Sequence, residues 1–246
     1  MNIEGTVALV SGGDKGIGNE LVKALQKAGA AKIYASSRHA DSLAEVVSLD
    51  PERIIPIELD ISDDKSVTDA AAQCQDVTLL INNAGVGFDA GLIAAPDLSH
   101  AKTEMEVNYF GTLRMCRAFA PILKTNGGGA IVNILSSLAL VNLPVRGSYS
   151  ASKAAALSMT QGVRAELAAQ GTLVVAVLPG TVDTDFSKDY DKPKTAPAEV
   201  AAAALQAVID GVEDVYPGDE AQWAISQLIS DPKGLEKQLA QILPAS

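Results

Sequence analysis

Tyr149 and Lys153 stand four residues apart in the segment Tyr149-Ser150-Ala151-Ser152-Lys153. On a helix that spacing sets both side chains on one face, a turn apart. A free phenol titrates near pH ~10, too high for a good proton shuttle at neutral pH. An ammonium beside it favours the phenolate, and acid–base catalysis works best when the pKa of the group approaches the working pH. The pair therefore reads as a proton donor and acceptor with its own tuning cation. Tyr-x-x-x-Lys is common by chance, so the reading leans on its context. Ser136 lies thirteen residues upstream, at the end of the aliphatic run Ala130–Leu135, and strand ends are where ligands bind in open α/β sheets. Its hydroxyl would hold a substrate oxygen beside the phenol; Ser137 is the alternative.

A second constellation follows the first aliphatic run. Residues 11–18 read Ser-Gly-Gly-Asp-Lys-Gly-Ile-Gly, with Gly12, Gly16 and Gly18 spaced G-x-x-x-G-x-G around Asp14, Lys15 and Ile17. Glycines allow a tight turn and close approach of the backbone to a pyrophosphate. The helix that opens there offers free N–H groups and the positive end of its dipole to the anion. A strand before the loop and a helix after it favour dinucleotide binding over a plain turn. Gly-Lys-Ser/Thr is missing, which argues against a nucleotide-hydrolase phosphate loop.

The second run ends Tyr34-Ala35-Ser36-Ser37-Arg38. A site selective for NAD usually carries a carboxylate here, to bond the ribose 2′-hydroxyl. Ser37 occupies that position, and Arg38 and Lys15 add two cations nearby, a combination suited to a 2′-phosphate. Charge-assisted hydrogen bonds of about 1.5–3 kcal/mol each, if two are made, would favour NADP(H) over NAD(H) by roughly a hundredfold or more. The competing reading is that both cations are solvated surface groups. Asn82-Asn83-Ala84-Gly85 follows the fourth run, where small residues let a cofactor lie against the backbone, although Asn and Gly also suit an ordinary turn.

The elements that must position these residues are legible as a pattern. Short aliphatic runs at Val7–Val10, Ile33–Ala35, Ile54–Leu59, Leu79–Ile81, Ala130–Leu135 and Leu173–Leu178 alternate with amphipathic or Ala-rich stretches near 17–29, 63–74, 100–124 and 150–170. A further helix is expected over 197–211, and 214–216 reads as a seventh strand. Repeated strand–helix–strand units predict an α/β fold, a Rossmann-like doubly wound parallel β-sheet of about seven strands with helices on both faces. Of the 246 residues 48% are hydrophobic but only 4% aromatic, which suits aliphatic strands buried on both sides. With no linker or repeat, 1–246 reads as one domain. Gly127-Gly128-Gly129 reads as a turn, and the polar segment 187–195, limited by Pro193 and Pro197, as a mobile substrate lid.

These motifs resemble those of the short-chain dehydrogenase/reductase family, over about residues 5–185. Residues 11–18 are similar to its Thr-Gly-x-x-x-Gly-Ile-Gly signature, with Ser11 in place of Thr. Asn82–Gly85, the Tyr-x-x-x-Lys pair, the spacing of Ser136 from Tyr149 and the segment Pro179-Gly180-Thr181-Val182-Asp183-Thr184 resemble the others. The resemblance implies an NADP(H)-dependent reductase of aldehydes or ketones, reversibly an alcohol dehydrogenase, with Tyr149 as general acid/base. It implies that Lys153 bonds the nicotinamide ribose, that Lys15 and Arg38 take the 2′-phosphate, that Asp60 and Ile61 contact the adenine, that Asn83, Ala84 and Gly85 line the cofactor, and that Val182 and Thr184 hold the carboxamide. Asn108 matches a fourth polar residue, which implies a water-linked proton relay through Lys153; a buried Asn serving backbone groups is the other reading. The C-terminal part departs from the family, since Asp214-Val215-Tyr216-Pro217-Gly218 stands where many members end Asp-Gly-Gly.

The net charge of −11 argues against a nucleic-acid partner. No apolar stretch reaches the ~18 residues of a membrane span, and the N-terminus lacks a signal-peptide pattern. Cys74 and Cys116 are too few for a disulfide framework. A cytoplasmic homodimer or homotetramer acting on a small carbonyl or alcohol substrate is the expectation. His39 and His100 have no ligand-spaced partner, so no metal is expected. The substrate pocket is expected to draw on Leu138, Leu140, Asn142, Arg146, Phe186 and the 187–195 segment. Three other readings stay open: an NAD-linked alcohol dehydrogenase, a non-catalytic cofactor-binding protein, and a methyltransferase, which the cations at 15 and 38 disfavour.

Overall fold

Each of the six aliphatic runs is a strand in the computed structural model, which describes residues 1–244. The strands are β1 (Val7–Ser11), β2 (Lys32–Ser37), β3 (Ile54–Glu58), β4 (Leu79–Asn82), β5 (Gly129–Ile134) and β6 (Thr172–Val177). The seventh, β7 (Asp214–Val215), pairs with β6 through Ala176 and Val177. The order β3-β2-β1-β4-β5-β6-β7 is parallel throughout. It is the expected doubly wound sheet, and strand order reverses between β1 and β4. Carboxyl ends of strands at such a switch point border the crevice in which ligands bind.

Successive residues of a strand face opposite sides of the sheet, and the core divides accordingly. Val10, Ile33, Ile81 and Val132 pack under α1 (Gly16–Lys27) and α7 (Pro197–Asp210). Leu9, Leu80, Ile131 and Val174 pack under α3 (Asp64–Gln73) and α5 (Thr112–Thr125), with Phe119 and Met115 fully buried. Both faces are covered by helices, which is why the strands carry so little polar alternation. Two side chains cross this core as a buried polar ladder: Asn82 Nδ2 donates to Asn133 Oδ1 at 2.8 Å, and Asn133 Nδ2 to Thr160 Oγ1 at 2.9 Å.

Several expectations need correction. The single helix near 100–124 is in fact α4 (Ser99–Glu104), a π-helical stretch Met105–Gly111 and then α5. The wide turn carries Asn108, whose side chain leaves the helix to bond the backbone of Val86. Wide turns of this kind are frequent at functional sites. The helix placed at 150–170 begins earlier, as α6 (Gly147–Leu167), so Tyr149 lies inside its first turn. A short helix, α2 (Ala44–Ser48), lies between β2 and β3. The tail after β7 forms α8 (Asp219–Ser230) and α9 (Pro232–Leu239). These are anchored by few apolar residues, Ala221, Ala224 and Leu235, with Asp231 capping α9 by accepting from the Gly234 N–H at 2.9 Å. Among the described residues no helix is long and apolar enough to cross a membrane. Both cysteines are free and buried, and burial pushes each thiol up to about 12, which makes them inert.

Candidate active site

The glycine loop is tied to the end of β4. Asn83 Nδ2 donates to the carbonyls of Ser11 (3.0 Å) and Gly12 (2.9 Å), while the Ser11 hydroxyl accepts from the N–H groups of Asn83 and Ala84. The Asn83 side chain is thus spent on the loop, while the residue still lines the central pocket with Gly85 and Ile17; Ala84 packs into the core. Gly12 adopts φ +66°, open to glycine at no steric cost. A Cβ on Gly18 would overlap the Gly12 carbonyl and lie 2.6 Å from Asn83 Nδ2. The first turn of α1 can therefore close on the loop only without a side chain there. A glycine loop that closes this tightly on a helix N-terminus suits a dinucleotide pyrophosphate.

The Tyr149, Lys153 and Ser136 side chains line one cavity of about 180 Å³. Ser136 lies two residues past β5, with its hydroxyl toward Tyr149 and accepting from the Leu138 N–H at 3.1 Å. Ser137 also reaches the cavity, but its N–H donates to the Pro179 carbonyl at 2.8 Å and it opens a short 3-10 turn, so Ser136 is the hydroxyl at the phenol. Lys153 Nζ donates to the Ile134 carbonyl at 3.0 Å and lies 5.8 Å from the centre of the Tyr149 ring.

The electrostatics differ from the simple expectation that Lys153 lowers Tyr149. Burial pushes the phenol up to about 12, a rise that Arg146 and the Ser136 hydroxyl oppose and Glu104 reinforces. Burial also drives the Lys153 ammonium down to about 8. In a site this dry, desolvation is the largest influence on both groups. Tyr149 is therefore a protonated acid at neutral pH.

Glu104 carries no signal in a reading based on motifs. It is fully buried (0% exposed). One carboxylate oxygen accepts from the Phe88 N–H at 2.8 Å, and the other has no hydrogen-bond partner among the described residues. One helical turn later, Asn108 accepts from the Val86 N–H (2.9 Å) and donates to the Val86 carbonyl (2.8 Å) and to Ser152 Oγ (2.9 Å). Asn108 thus ties the backbone of the loop after β4 to the Ser152 hydroxyl of α6. The two side chains bracket residues 86–88, whose Gly87 lies directly against the Tyr149 and Phe186 rings. The i, i+4 spacing of Glu104 and Asn108 was the available signal. Glu104→Gln removes the charge and keeps the shape, so the Tyr149 limb of the pH–rate profile is expected to move to lower pH; an unshifted profile would refute the electrostatic role.

The other expected residues fall as follows. Pro179, Gly180, Val182 and Thr184 line the cavity, with Thr184 against Gly16. Arg38 is exposed beyond β2, and the Ser37 hydroxyl accepts from Ser42 Oγ at 3.0 Å. Lys15 is 72% exposed, 4.0 Å from Asp185, and Asp14 is half-buried in the loop. The Asp60 carboxylate accepts from both the N–H and the hydroxyl of Ser62, while Asp63 caps α3. Against the opposing effect of burial, the two Ser62 hydrogen bonds, with a smaller contribution from Arg38, hold Asp60 below the usual carboxylate range. Ile61 is buried against Gly111. Leu138, Arg146 and Phe186 line the cavity as expected; Leu140 and Asn142 do not. Leu140 packs with Leu135 and Leu178, and Asn142 Nδ2 donates to the Gly147 carbonyl. The 187–195 segment contributes Ser187, Tyr190 and Lys192, and its end is pinned where Thr195 pairs with Val182.

A family model described as short chain dehydrogenase matches residues 6–195. The short chain dehydrogenase mpl6 of Monascus purpureus is 34% identical over 204 residues, covering 78% of this chain and 70% of its own. Among solved structures, a short chain dehydrogenase from Burkholderia cenocepacia in complex with NADP is 48% identical, covers 97% of this chain and 99% of its own, and superposes with a TM-score of 0.92. A 3-ketoacyl-(acyl-carrier-protein) reductase from Brucella melitensis, complexed with NADH, is 26% identical, with coverages of 87% and 98% and a TM-score of 0.81.

Proposed function

From the premise that the chain belongs to the short chain dehydrogenase family of oxidoreductases, we propose that it reduces an aldehyde or ketone with NADPH and runs in reverse as an alcohol dehydrogenase. The observation that carries the reading is the convergence of Ser136, Tyr149 and Lys153 on one cavity beside the glycine loop. The cofactor would lie across the carboxyl ends of β1 and β4, with its pyrophosphate at Gly12–Gly18, and the nicotinamide would reach toward Pro179, Val182 and Thr184. When bound, the reduced nicotinamide supplies hydride to the carbonyl carbon. Ser136 orients the carbonyl oxygen, Tyr149 donates its phenolic proton to it, and Lys153, held by Ile134, keeps a positive charge behind the phenol as the oxygen gains electrons. Asn108 and Glu104 hold the loop against which the Tyr149 ring rests.

Preference for NADPH rests on Ser37 standing where an NAD site carries a carboxylate, and on the two exposed cations Lys15 and Arg38. That the Burkholderia cenocepacia protein is in complex with NADP agrees with this reading. The direct test follows oxidation of NADPH and of NADH with a panel of aldehydes and ketones; no consumption with any member would overturn the reductase reading. Arg38→Asp is expected to lower kcat/KM for NADPH by roughly tenfold or more, the value of one charge-assisted bond, with little effect on NADH. Equal loss of both would sink the phosphate assignment.

A further inference from the structure

Among the described residues, two of the three cations in the wall of the cavity are paired with carboxylates. Arg146 is 8% exposed, and its Nε lies 2.6 Å from Asp89 Oδ1 and donates to the Tyr190 hydroxyl at 2.8 Å. Nη2 donates to the Phe186 carbonyl at 3.3 Å. Its guanidinium carbon lies 4.6 Å from the Phe186 ring centre and 4.9 Å from that of Tyr190. Tyr190 closes the cluster by donating to the same Asp89 oxygen at 2.8 Å. Lys192 Nζ lies 2.7 Å from Glu220 Oε1, and Glu220 Oε2 accepts from the Thr181 N–H at 2.7 Å. Among the described residues, Lys153 is the one lining cation without a carboxylate, and it is held by Ile134. Apolar and aromatic residues, Leu138, Leu143, Val182 and Phe186, also line the cavity, beside Ser137, Thr181, Thr184 and Ser187.

We propose that this pocket takes an uncharged carbonyl compound with an apolar or aromatic body, and discriminates against carboxylate-bearing keto-compounds. The inference rests on the carbonyl-reductase reading above. An incoming carboxylate would have to give up its hydration and would find Arg146 already paired with Asp89 and Lys192 with Glu220, while the Glu220 carboxylate in the lining would repel it. An uncharged body loses little on desolvation and gains contact with the rings. This is specificity by exclusion, built from carboxylates that already partner the lining cations. It holds on a chain whose net charge of −11 already disfavours approach of an anion.

Matched probes decide it: benzaldehyde against 4-carboxybenzaldehyde, and ethyl pyruvate against pyruvate. The uncharged member of each pair is expected to show a kcat/KM higher by about tenfold or more. In Asp89→Asn the ratio is expected to shrink, because Arg146 then offers an uncompensated charge. Equal values, preference for the charged member, or an unchanged ratio in Asp89→Asn would overturn the proposal. Calorimetric titration of the complex with NADP⁺ using benzamide and 4-carboxybenzamide reads the same discrimination without turnover. Absence of reduction with an intact binding ratio would therefore fault the catalytic reading alone, whereas binding of neither probe would overturn the pocket assignment.

Discussion

The Tyr149→Phe protein is expected to bind NADPH as the native chain does and to reduce carbonyl substrates about 10²–10⁴-fold more slowly, the usual contribution of a positioned proton donor. The substitution removes one oxygen and leaves the ring, which packs 5.5 Å from Phe186 and against Gly87, so the cavity keeps its shape. Ser136 cannot take over the proton transfer. Its unperturbed hydroxyl is far too weak an acid, and it already accepts from the Leu138 N–H. Lys153 is turned to the Ile134 carbonyl. The glycine loop is held by Asn83 and Ser11 on the other side of the switch point, which is why cofactor affinity should survive. NADPH fluorescence titration and steady-state oxidation measure the two properties separately. A variant within tenfold of the native rate would remove Tyr149 from the chemistry. The pH dependence of the proposed reaction follows from the same group: a phenol raised to about 12 by burial carries its proton at neutral pH, as the reductive direction requires. Oxidation of an alcohol requires the phenolate, and its rate should rise with pH across the neutral and alkaline range.

The parts of this site that were legible in the sequence are those whose requirements are local. A loop that must turn at Gly12 and admit the first turn of α1 at Gly18 writes its need into residue type. The Tyr149–Lys153 pair writes its need into helical spacing, and parallel strands covered on both faces write theirs into uninterrupted aliphatic runs. The groups that set the electrostatics are different, because their partners are remote in the chain. Asp89 meets Arg146 across 57 positions, and Lys192 meets Glu220 across 28. Nothing in the composition around 89 or 220 marks a pocket wall. Glu104 reads as one more polar residue of an amphipathic helix until packing against α6 excludes all water from it. The direction of the Tyr149 shift is not legible for the same reason, since charge spacing is visible in a sequence and burial is not. The tail after β7 is less legible because α8 and α9 bury few apolar residues, Ala221, Ala224 and Leu235.

Lys153→Met should make the protein more stable and inactive at once. The ammonium is held at about 8 by burial, from an ordinary 10.5. At pH 7 it is charged in both the folded and the unfolded chain, and keeping it charged inside the fold costs about 3 kcal/mol. Methionine fills a similar volume without that cost. It forfeits the hydrogen bond to Ile134, which offsets part of the gain and leaves a net stabilisation of about 1–2 kcal/mol at pH 7. The pH dependence separates this from a packing effect. Between pH 8 and 10.5 the folded chain holds fewer protons than the unfolded one at this residue, so native stability from Lys153 rises with pH across that window, and the advantage of the variant should shrink toward zero. Tyr149, shifted the opposite way, loses stability only above its unfolded value near pH 10, equally in both proteins, and so cancels in the comparison. Urea denaturation of both proteins without cofactor, at pH 7 and pH 9.5, measures the difference, while turnover should fall at least about a hundredfold. A native chain more stable than the variant at pH 7, or a gap that does not change with pH, would mean that the ammonium is solvated. The strain of holding a buried charge beside Tyr149 would then have no part in how this site works.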